Sequence, residues 1–464
     1  MRLYDTATRE VRDFIPLVPG QVSMYVCGAT VQAAPHVGHI RSGVAFDVLA
    51  RWLTRQGYQV TLVRNVTDID DKIISKGVTE NRPWFAVAAH YEREFQNAYS
   101  VLGCTPPTVE PRATGHITHM VELMSRLIEC GHAYAVDGDV YFDVRSFAEY
   151  GQLSGQKIDD LLPAGDSAGE SRKKDARDFA LWKSAKPGEP SWPTPWGHGR
   201  PGWHIECSAM AQAYLGDVFD IHGGGLDLVF PHHENEVAQS KAAGQEFAKF
   251  WLHNAWVTTS GEKMSKSLGN SLLVSEVVKR VRPVELRWYL ASAHYRSNLE
   301  FSDAALGESA VAYQRIENFV IRAHEFVGHS DYEHNIPDAF AQAMNEDVNV
   351  PAALAVVHET VTQGNTLLQN NAADSEVHAV YNQVRSMLDV LGVDPLASPW
   401  ADGTNSQEKT VEILDALVQD KIAERAAAKL AKDFAKADAI RDRLRDLGVT
   451  LEDSVDSVRW NVEK

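Results

Sequence analysis

The sequence predicts an α/β fold built on a parallel sheet, with a helical region after it. A short apolar run, Val22 to Cys27, reads as a buried strand, and Val60 to Val63 as the next one. Between them, Gly38 to Gln56 carries apolar residues at helical spacing, and Gly57 suits a left-handed helix end. Beyond about Asp303 the apolar spacing becomes helical throughout. In such a β-loop-α-β unit, ligands bind at the strand's carboxyl end.

Composition limits the class of protein. The chain has 464 residues, enough for three or four structural units, and 44% of them are hydrophobic. No apolar run approaches the roughly 20 residues of a membrane span, and the N-terminus lacks a signal pattern, so a cytoplasmic protein is expected. The four cysteines show no C-x-x-C pair, which disfavours a disulfide scaffold. The net charge of -18 argues against indiscriminate nucleic-acid binding, but leaves room for a shaped RNA site with local basic patches.

The middle of the chain interrupts this fold. A proline-rich break at Cys104 to Pro107 is followed by a predicted helix, Ile117 to Cys130, and by a hairpin whose turn is Asp137-Gly138. Pro163 to Asp178 is rich in Gly, Ser and charge, which predicts a mobile segment. We therefore expect an inserted domain over residues 105–200.

The sheet is expected to resume after Pro201. Val218 to His222 is predicted as a strand, Gly223 to Gly225 as a tight loop after it, and Phe250 to Val257 as a further strand. A triple glycine is compatible with a simple flexible turn. After a buried strand, it favours backbone contact with a flat ligand such as adenine. Pro231 is predicted to open the intervening helix.

The last third of the chain predicts a helical bundle, a linker over residues 395–408 and a small terminal unit. The bundle helices are predicted over Ala310–Val327, Pro351–Leu368 and Glu376–Leu391, and the terminal unit over helices Val411–Ala428 and Phe434–Leu447 with strands Val449–Leu451 and Val458–Trp460.

Two separated segments suggest a phosphate site. His36, Gly38 and His39 lie where the first long helix begins, and helix N-termini attract phosphate. Taken alone, P-H-V-G-H is better explained as a surface helix start with incidental histidines. The sequence K-M-S-K-S at Lys263 to Ser267 changes that balance, since it suits a cationic loop that closes over a triphosphate. The two patterns in this order resemble the class I aminoacyl-tRNA synthetases.

Four scattered residues form a candidate zinc site: Cys27, Cys207, His232 and Glu236. Cys27 ends the first strand, Cys207 follows Trp203, and the spacing of four places His232 and Glu236 on one side of a helix. The alternative is two core thiols, a helix-capping histidine and a solvent-facing glutamate. Convergence of the three segments on one crevice favours the metal.

Longer stretches narrow the resemblance to the cysteinyl-tRNA synthetase family over almost the whole chain. They read Y-V-C-G-A-T, N-V-T-D-I-D-D-K, G-W-H-I-E-C-S-A-M, H-G-G-G-L-D-L-V-F-P-H-H-E-N-E and K-M-S-K-S-L-G-N. The resemblance implies a Rossmann-like catalytic domain in two halves, 1–104 and 201–303, an insertion at 105–200, a bundle at 304–394 and an anticodon-binding unit at 409–464. This chain departs from the family's usual pattern at Ala29, Gln32-Ala33 and Leu226.

The resemblance also implies chemistry. One Zn²⁺ per chain, held by the four residues above, would select the thiolate of cysteine, and ATP with Mg²⁺ would be the second substrate. His36, His39, Lys263 and Lys266 would be catalytic. Cysteine would be bound by Gly28, Thr67, Trp203 and Asp227, and ATP by Ala29, Thr30, His36, Gly38, His39, Gly223, Gly224, Gly225 and Lys266.

The implied partner is tRNA(Cys), charged by a monomer with no membrane contact. A cationic helical surface in the terminal unit is a candidate RNA contact, although acidic residues are interleaved with it. Its members are Lys421, Arg425, Lys429, Lys432, Lys436, Arg441, Arg443 and Arg445. Trp460 is either a stacking residue or a core residue. The competing hypotheses are a related cysteine ligase acting on an amino-sugar, which would be shorter and lack residues 409–464, a catalytically silent RNA-binding paralogue, and a nucleotidyltransferase of the same fold.

Overall fold

The computed structural model describes residues 1–161, 172–259, 262–263, 272–328, 332–370, 372–401, 404–453 and 458–462. The chain forms two compact units, Met1–Pro395 and Leu396–Lys464. Most of the segment predicted to be mobile, Pro163 to Asp178, lies outside the described residues.

The predicted β-loop-α-β unit is confirmed. After a hairpin of β1 (Arg2–Asp5) and β2 (Glu10–Asp13) come β3 (Gln21–Val26), α1 (Val37–Arg55) and β4 (Gln59–Arg64). β3 and β4 pair in parallel. α1 buries the predicted apolar stripe, and Gly57 has a φ of 90°, as a left-handed helix end requires.

The inserted segment forms an antiparallel sheet of its own. It follows α2 (Asp71–Glu80) and α3 (Trp84–Val101), and contains α4 (Ile117–Glu129), β5 (Ala133–Val136), β6 (Asp139–Phe142), β7 (Phe179–Ser184), β8 (Trp192–Thr194) and β9 (Gly197–Pro201). The strand order is β5-β6-β7-β9-β8. The hairpin turn is confirmed, because Asp137 and Gly138 both have positive φ, 49° and 84°.

The parallel sheet is completed after the insertion by α5 (Trp203–Leu215), β10 (Val218–Gly225), α6 (Glu234–Ala242) and β11 (Phe247–Asn254). Its strand order is β11-β10-β3-β4. The predicted glycine loop is wrong: β10 continues through Gly223 to Gly225, which pair with Leu252 to Asn254. The glycines permit close packing, since a Cβ at Gly223 would lie 2.3 Å from the Phe46 ring.

The structure differs from the sequence prediction at two other element boundaries. Pro231 does not open α6, because Phe230 is extended (φ -137°, ψ 133°) and the turn Val229–His233 precedes the regular helix. The predicted strand Phe250 to Val257 is broken at Ala255-Trp256. The chain continues in a second small sheet of β12 (Val257–Thr259), β13 (Glu262–Lys263) and β14 (Leu299–Glu300), with α7 (Val274–Val277) and α8 (Pro283–Ser292) between the last two strands.

The bundle contains the three predicted helices and a fourth that was not predicted. They are α9 (Asp303–Val327), α10 (Asp338–Asn345), α11 (Val350–Gln369) and α12 (Asp374–Leu391). α10 was missed because it is short and buries only Phe340 and Met344. Ion pairing of Arg55 with Asp389 ties α1 to α12 within the first unit.

The second unit consists of α13 (Thr404–Leu430), α14 (Phe434–Asp446) and the antiparallel pair β15 (Val449–Asp453) and β16 (Val458–Val462). Its small core contains Val418, Leu444 and Val449. Trp460 packs against that core, and its indole N–H donates to Asp415 at 2.7 Å, which supports the core interpretation of this residue. In the described part of the chain, no helix is both long and apolar enough to cross a bilayer.

Candidate active site

The candidate site lies at the carboxyl ends of the central parallel strands. Cys27 immediately follows β3, and its backbone N–H donates to the Gly223 carbonyl at 2.9 Å. Cys207 lies in the first turns of α5, His232 in the turn before α6, and Glu236 in the first turn of α6. The crevice expected from the sequence therefore receives residues from four segments.

These four residues form one cluster. The Cys27 Sγ lies 3.7 Å from the Cys207 Sγ and 3.5 Å from the Glu236 Oε1, which in turn lies 3.1 Å from the His232 Nε2. One donor atom from each lies within 4.8 Å of all the others. Tetrahedral bonds of the lengths zinc makes to sulfur and nitrogen place ligand atoms about 3.3–3.8 Å apart. The donor set and its spacing therefore fit a zinc ion.

Burial gives this cluster an electrostatic need for a cation. Cys207, His232 and Glu236 are each at most 1% exposed. Desolvation, followed by the nearby Cys207 and Glu236, raises the pKa of the Cys27 thiol well above its usual value. Desolvation likewise lowers the pKa of His232 well below its usual value. A bound dication would offset the cost of forming the Cys27 thiolate, and the lowered pKa of His232 keeps its imidazole neutral, the form that binds a metal.

Supporting residues around the cluster were not predicted. The His222 Nε2 lies 2.8 Å from the Glu236 Oε2, and the His204 Nδ1 lies 3.0 Å from the His232 Nδ1. The Trp203 ring stacks on the His232 ring, with centroids 4.2 Å apart. Contacts of this kind orient metal ligands. Both histidines stand inside the sequence stretches already singled out, but only the fold shows which atoms they reach.

A second candidate metal set shares two members with the first. Cys27, His222, His233 and Glu236 also offer donor atoms within 4.8 Å of one another. However, the His222 Nε2 is already engaged by the Glu236 Oε2. The set with two thiols is the better zinc site, since thiolate is the ligand that zinc prefers.

Three of the residues expected to bind cysteine are linked to this cluster: Gly28 follows Cys27, Thr67 is joined to Gly28 through Asn65, and Trp203 stacks on His232. The Gly28 N–H donates to the Asn65 Oδ1 at 2.8 Å, and the Asn65 Nδ2 donates to the Thr67 Oγ1 at 3.3 Å. Trp203 is 37% exposed, and its ring stacks on that of His232. Asp227 lies in the turn Leu226–Leu228 after β10. Asn65, which the sequence did not single out, links two of these residues.

The expected nucleotide side is the start of α1. His36 is its N-cap residue, and His39 lies in its first turn. Their rings stack with centroids 3.6 Å apart, and the His36 N–H donates to the His39 Nδ1 at 3.3 Å. A Cβ at Gly38 would lie 3.0 Å from the His36 Nδ1, so glycine relieves crowding there. Ala29 and Thr30 lie in the loop before α1. The positive end of the α1 dipole lies here and suits phosphate.

Only part of the predicted cationic loop is described. Lys263 is the last residue of β13, where it lies opposite Thr258 of β12. Lys266 lies outside the described residues.

Comparisons with known proteins agree on the class of protein that this chain resembles. Residues 13–311 match the family model for the tRNA synthetases class I (C) catalytic domain, and residues 339–395 match that of the DALR domain. The Cysteine--tRNA ligase of Streptomyces avermitilis is 60% identical over 466 residues, covering 100% of this chain and 99% of the relative. That of Streptomyces griseus subsp. griseus is 57% identical with the same coverage.

Solved structures share the fold at low sequence identity. Methionyl-tRNA synthetase of Mycobacterium tuberculosis in complex with methionyl-adenylate is 16% identical, with a TM-score of 0.58, over 81% of this chain and 90% of that one. The LeuRS in the ternary complex of agnB2 LeuRS, tRNA and LeuAMS from Agrobacterium radiobacter K84 is 12% identical, with a TM-score of 0.59. The match covers 82% of this chain and 85% of that one.

Proposed function

The chain belongs to the Cysteine--tRNA ligase family of class I aminoacyl-tRNA synthetases, and on that premise we propose that it activates L-cysteine with ATP, selects the substrate through a zinc site, and transfers cysteine to the 3′ end of tRNA(Cys). The observation that carries the zinc proposal is the buried cluster of Cys27, Cys207, His232 and Glu236. Its donor chemistry suits zinc, and its place at the sheet edge suits a substrate pocket.

Selectivity for cysteine is the reason to place a metal there. Cysteine and serine differ by one atom, and an apolar pocket separates such near-isosteres by only about 10²-fold. Zinc bound by the cluster would accept the substrate thiolate and disfavour a hard hydroxyl. Around it, Glu236 is oriented by His222, and His232 by His204 and Trp203. These contacts hold the ligand atoms ready before the substrate arrives.

The rest of the amino acid is positioned by Gly28, Thr67, Trp203 and Asp227. Gly28 brings backbone close to the substrate without a side chain, and Thr67 offers a buried hydroxyl held by Asn65. Trp203 closes one side with its half-exposed ring. Together they would direct the substrate carboxylate toward the nucleotide at α1.

Activation is attack of the cysteine carboxylate on the α-phosphate of ATP, supplied with Mg²⁺. A carboxylate oxygen bonds to that phosphorus, the bond to the bridging oxygen breaks, and pyrophosphate leaves with its electrons. His36 and His39, at the positive end of α1, and Lys263 and Lys266 stabilise the charge on pyrophosphate. Ala29, Thr30 and Gly38 line the ATP site, with the strand residues Gly223, Gly224 and Gly225 nearby.

Transfer then requires tRNA, and the second unit is proposed as its anticodon reader. The cationic surface is weaker than its residue count suggests: Lys421 and Lys436 pair with Glu424, and Arg441 and Arg445 with Asp442. Arg425 is 5% exposed and therefore does not belong to the surface. Phosphate contacts by the exposed cations of this surface would fix the register of the tRNA.

The test is cysteine-dependent exchange of pyrophosphate into ATP, followed by charging of tRNA(Cys). We expect pyrophosphate exchange with cysteine and charging of tRNA(Cys). Exchange with serine should be lower than exchange with cysteine by far more than the ~10²-fold that an apolar pocket provides. Near-equal exchange with both amino acids would rule out zinc as the selector. Exchange without charging would favour the amino-sugar ligase, and no exchange would favour a silent RNA-binding protein.

A further inference from the structure

A buried arginine on α1 holds four backbone carbonyls at once. The Arg41 Nη1 donates to the carbonyls of Ala255 at 3.1 Å and Trp256 at 2.6 Å. Its Nη2 donates to those of His294 at 3.2 Å and Ser297 at 2.5 Å. Arg41 lies two residues after His39 and is 1% exposed. The guanidinium therefore ties the start of α1 to two other chain segments.

This arrangement is costly for an arginine. All of its acceptors in the described part of the chain are backbone carbonyls, and burial lowers the pKa of Arg41 to about 10. A buried cation without a carboxylate recovers little of its desolvation cost. Arg287, which is equally buried, has Asp47 as an ionic partner. Burial alone therefore disfavours an arginine at this position, and the hydrogen bonds to the four carbonyls are the contribution that Arg41 makes.

The two carbonyl pairs lie immediately before two strands of the small sheet that carries Lys263. Ala255 and Trp256 separate β11 from β12, and this is where the predicted strand Phe250 to Val257 breaks. β12 pairs with β13, so that Lys263 lies opposite Thr258. His294 and Ser297 precede β14, which pairs with the other edge of β12. Arg41 therefore holds the small sheet that carries Lys263.

The chain beyond Lys263 is also tied to α1. The Val37 N–H donates to the Leu272 carbonyl at 2.9 Å, and the Val274 N–H donates to the Pro35 carbonyl at 3.1 Å. The chain thus enters and leaves the segment 260–271 at points fixed to the first turns of one helix. That helix also carries His36 and His39.

We propose that Arg41 is a positioning residue for adenylate formation, which fixes the small sheet of β12, β13 and β14, and with it the backbone of Lys263, against α1. Lys263 is thereby held in register with the helix that carries His36 and His39. This inference rests on the proposed function, because it assigns these three cations to one nucleotide.

The first test replaces Arg41 in the full chain and measures cysteine-dependent pyrophosphate exchange. Arg41→Gln should lower kcat about 10–100-fold, the loss typical of a reacting group misplaced by about 1 Å. The KM for cysteine should stay within about twofold, because its pocket is built by other elements. Arg41→Lys should recover only part of kcat, since one ammonium cannot span both carbonyl pairs. If the glutamine variant does not fold, the kcat of Arg41→Lys is compared with that of the unaltered chain instead.

The matched control is Arg287→Gln, which removes an equally buried arginine that binds the carbonyls of Leu391 and Leu102, away from the small sheet. It should lower thermal stability at least as much and keep kcat. If both variants lose kcat in proportion to stability, Arg41 is merely structural.

A double-mutant cycle with Lys263→Ala separates the remaining outcomes. If Arg41 acts through the small sheet that carries Lys263, the losses of the two variants are not additive. Additive losses would overturn the inference and leave the proposed function intact. Absence of cysteine-dependent exchange in the unaltered chain would instead overturn the proposed function.

Discussion

Gly28→Ala tests the proposed cysteine pocket at a point where two backbone segments approach closely. The added Cβ would lie 1.7 Å from the Asn65 carbonyl oxygen, whereas Cβ contacts below 3.0 Å essentially never occur. The two atoms must separate by at least 1.3 Å, the difference between those values. The obstacle is backbone at the end of β4, so it cannot yield as a flexible side chain would.

The displacement should reach both the metal cluster and the substrate. Cys27 precedes Gly28, and the Gly28 N–H would lose its 2.8 Å hydrogen bond to the Asn65 Oδ1. Overpacking of this kind costs about 1–3 kcal/mol of folding stability. A misplacement of about 1 Å in an active site costs about 10²-fold in rate. We therefore expect kcat/KM for cysteine in pyrophosphate exchange to fall about 100-fold, with less than one zinc per chain.

Gly115→Ala is the matched control. A Cβ there meets no heavy atom within 4 Å, and the backbone is not in the left-handed region. This variant should retain exchange, zinc and melting temperature. Wild-type exchange and zinc content in Gly28→Ala would refute the assignment of this turn to the substrate pocket.

Three further predictions concern the metal, the cationic loop and the second unit. Elemental analysis should find one zinc per chain, and Cys207→Ser should remove most of it, since a hard hydroxyl replaces a thiolate; stoichiometric zinc in the variant would contradict the site. Lys266→Ala should slow adenylate formation in single turnovers much more than it weakens cysteine binding, because the lysine charge matters most when negative charge develops on the leaving pyrophosphate. The reverse pattern would exclude this role. A chain ending at Pro395, where the first compact unit ends, should keep exchange, lose most charging and show a shallower salt dependence of tRNA affinity; full charging by the shortened chain would exclude the second unit as the anticodon reader.

The features that the sequence predicted well depend on local spacing. The limits of α1, Val37–Arg55, are within one residue of the prediction, because a single apolar stripe defines that helix. The convergence of Cys27, Cys207, His232 and Glu236 was also predictable, since parallel strands present their carboxyl ends at one edge of a sheet.

The features that were missed depend on distant neighbours. Position 223 of β10 requires glycine because the Phe46 ring occupies the space of a side chain, which no local pattern reveals. The carbonyls of Ala255 and Trp256, where the predicted strand breaks, bind Arg41, more than two hundred residues earlier in the chain. The contact of His222 with Glu236 likewise becomes visible only once β10 and α6 are assembled.

The metal cluster also bears on how the chain folds. Cys27 and Cys207 are 180 residues apart in sequence, and the whole inserted domain lies between them. An ion bound by both would close that loop like a cross-link, and a loop of this length restricts the unfolded chain by about 5 kcal/mol in the chain-entropy treatment of disulfides. The ion proposed to select the substrate would thus also hold together the two halves of the parallel sheet, and chelation would loosen their assembly as well as remove selectivity.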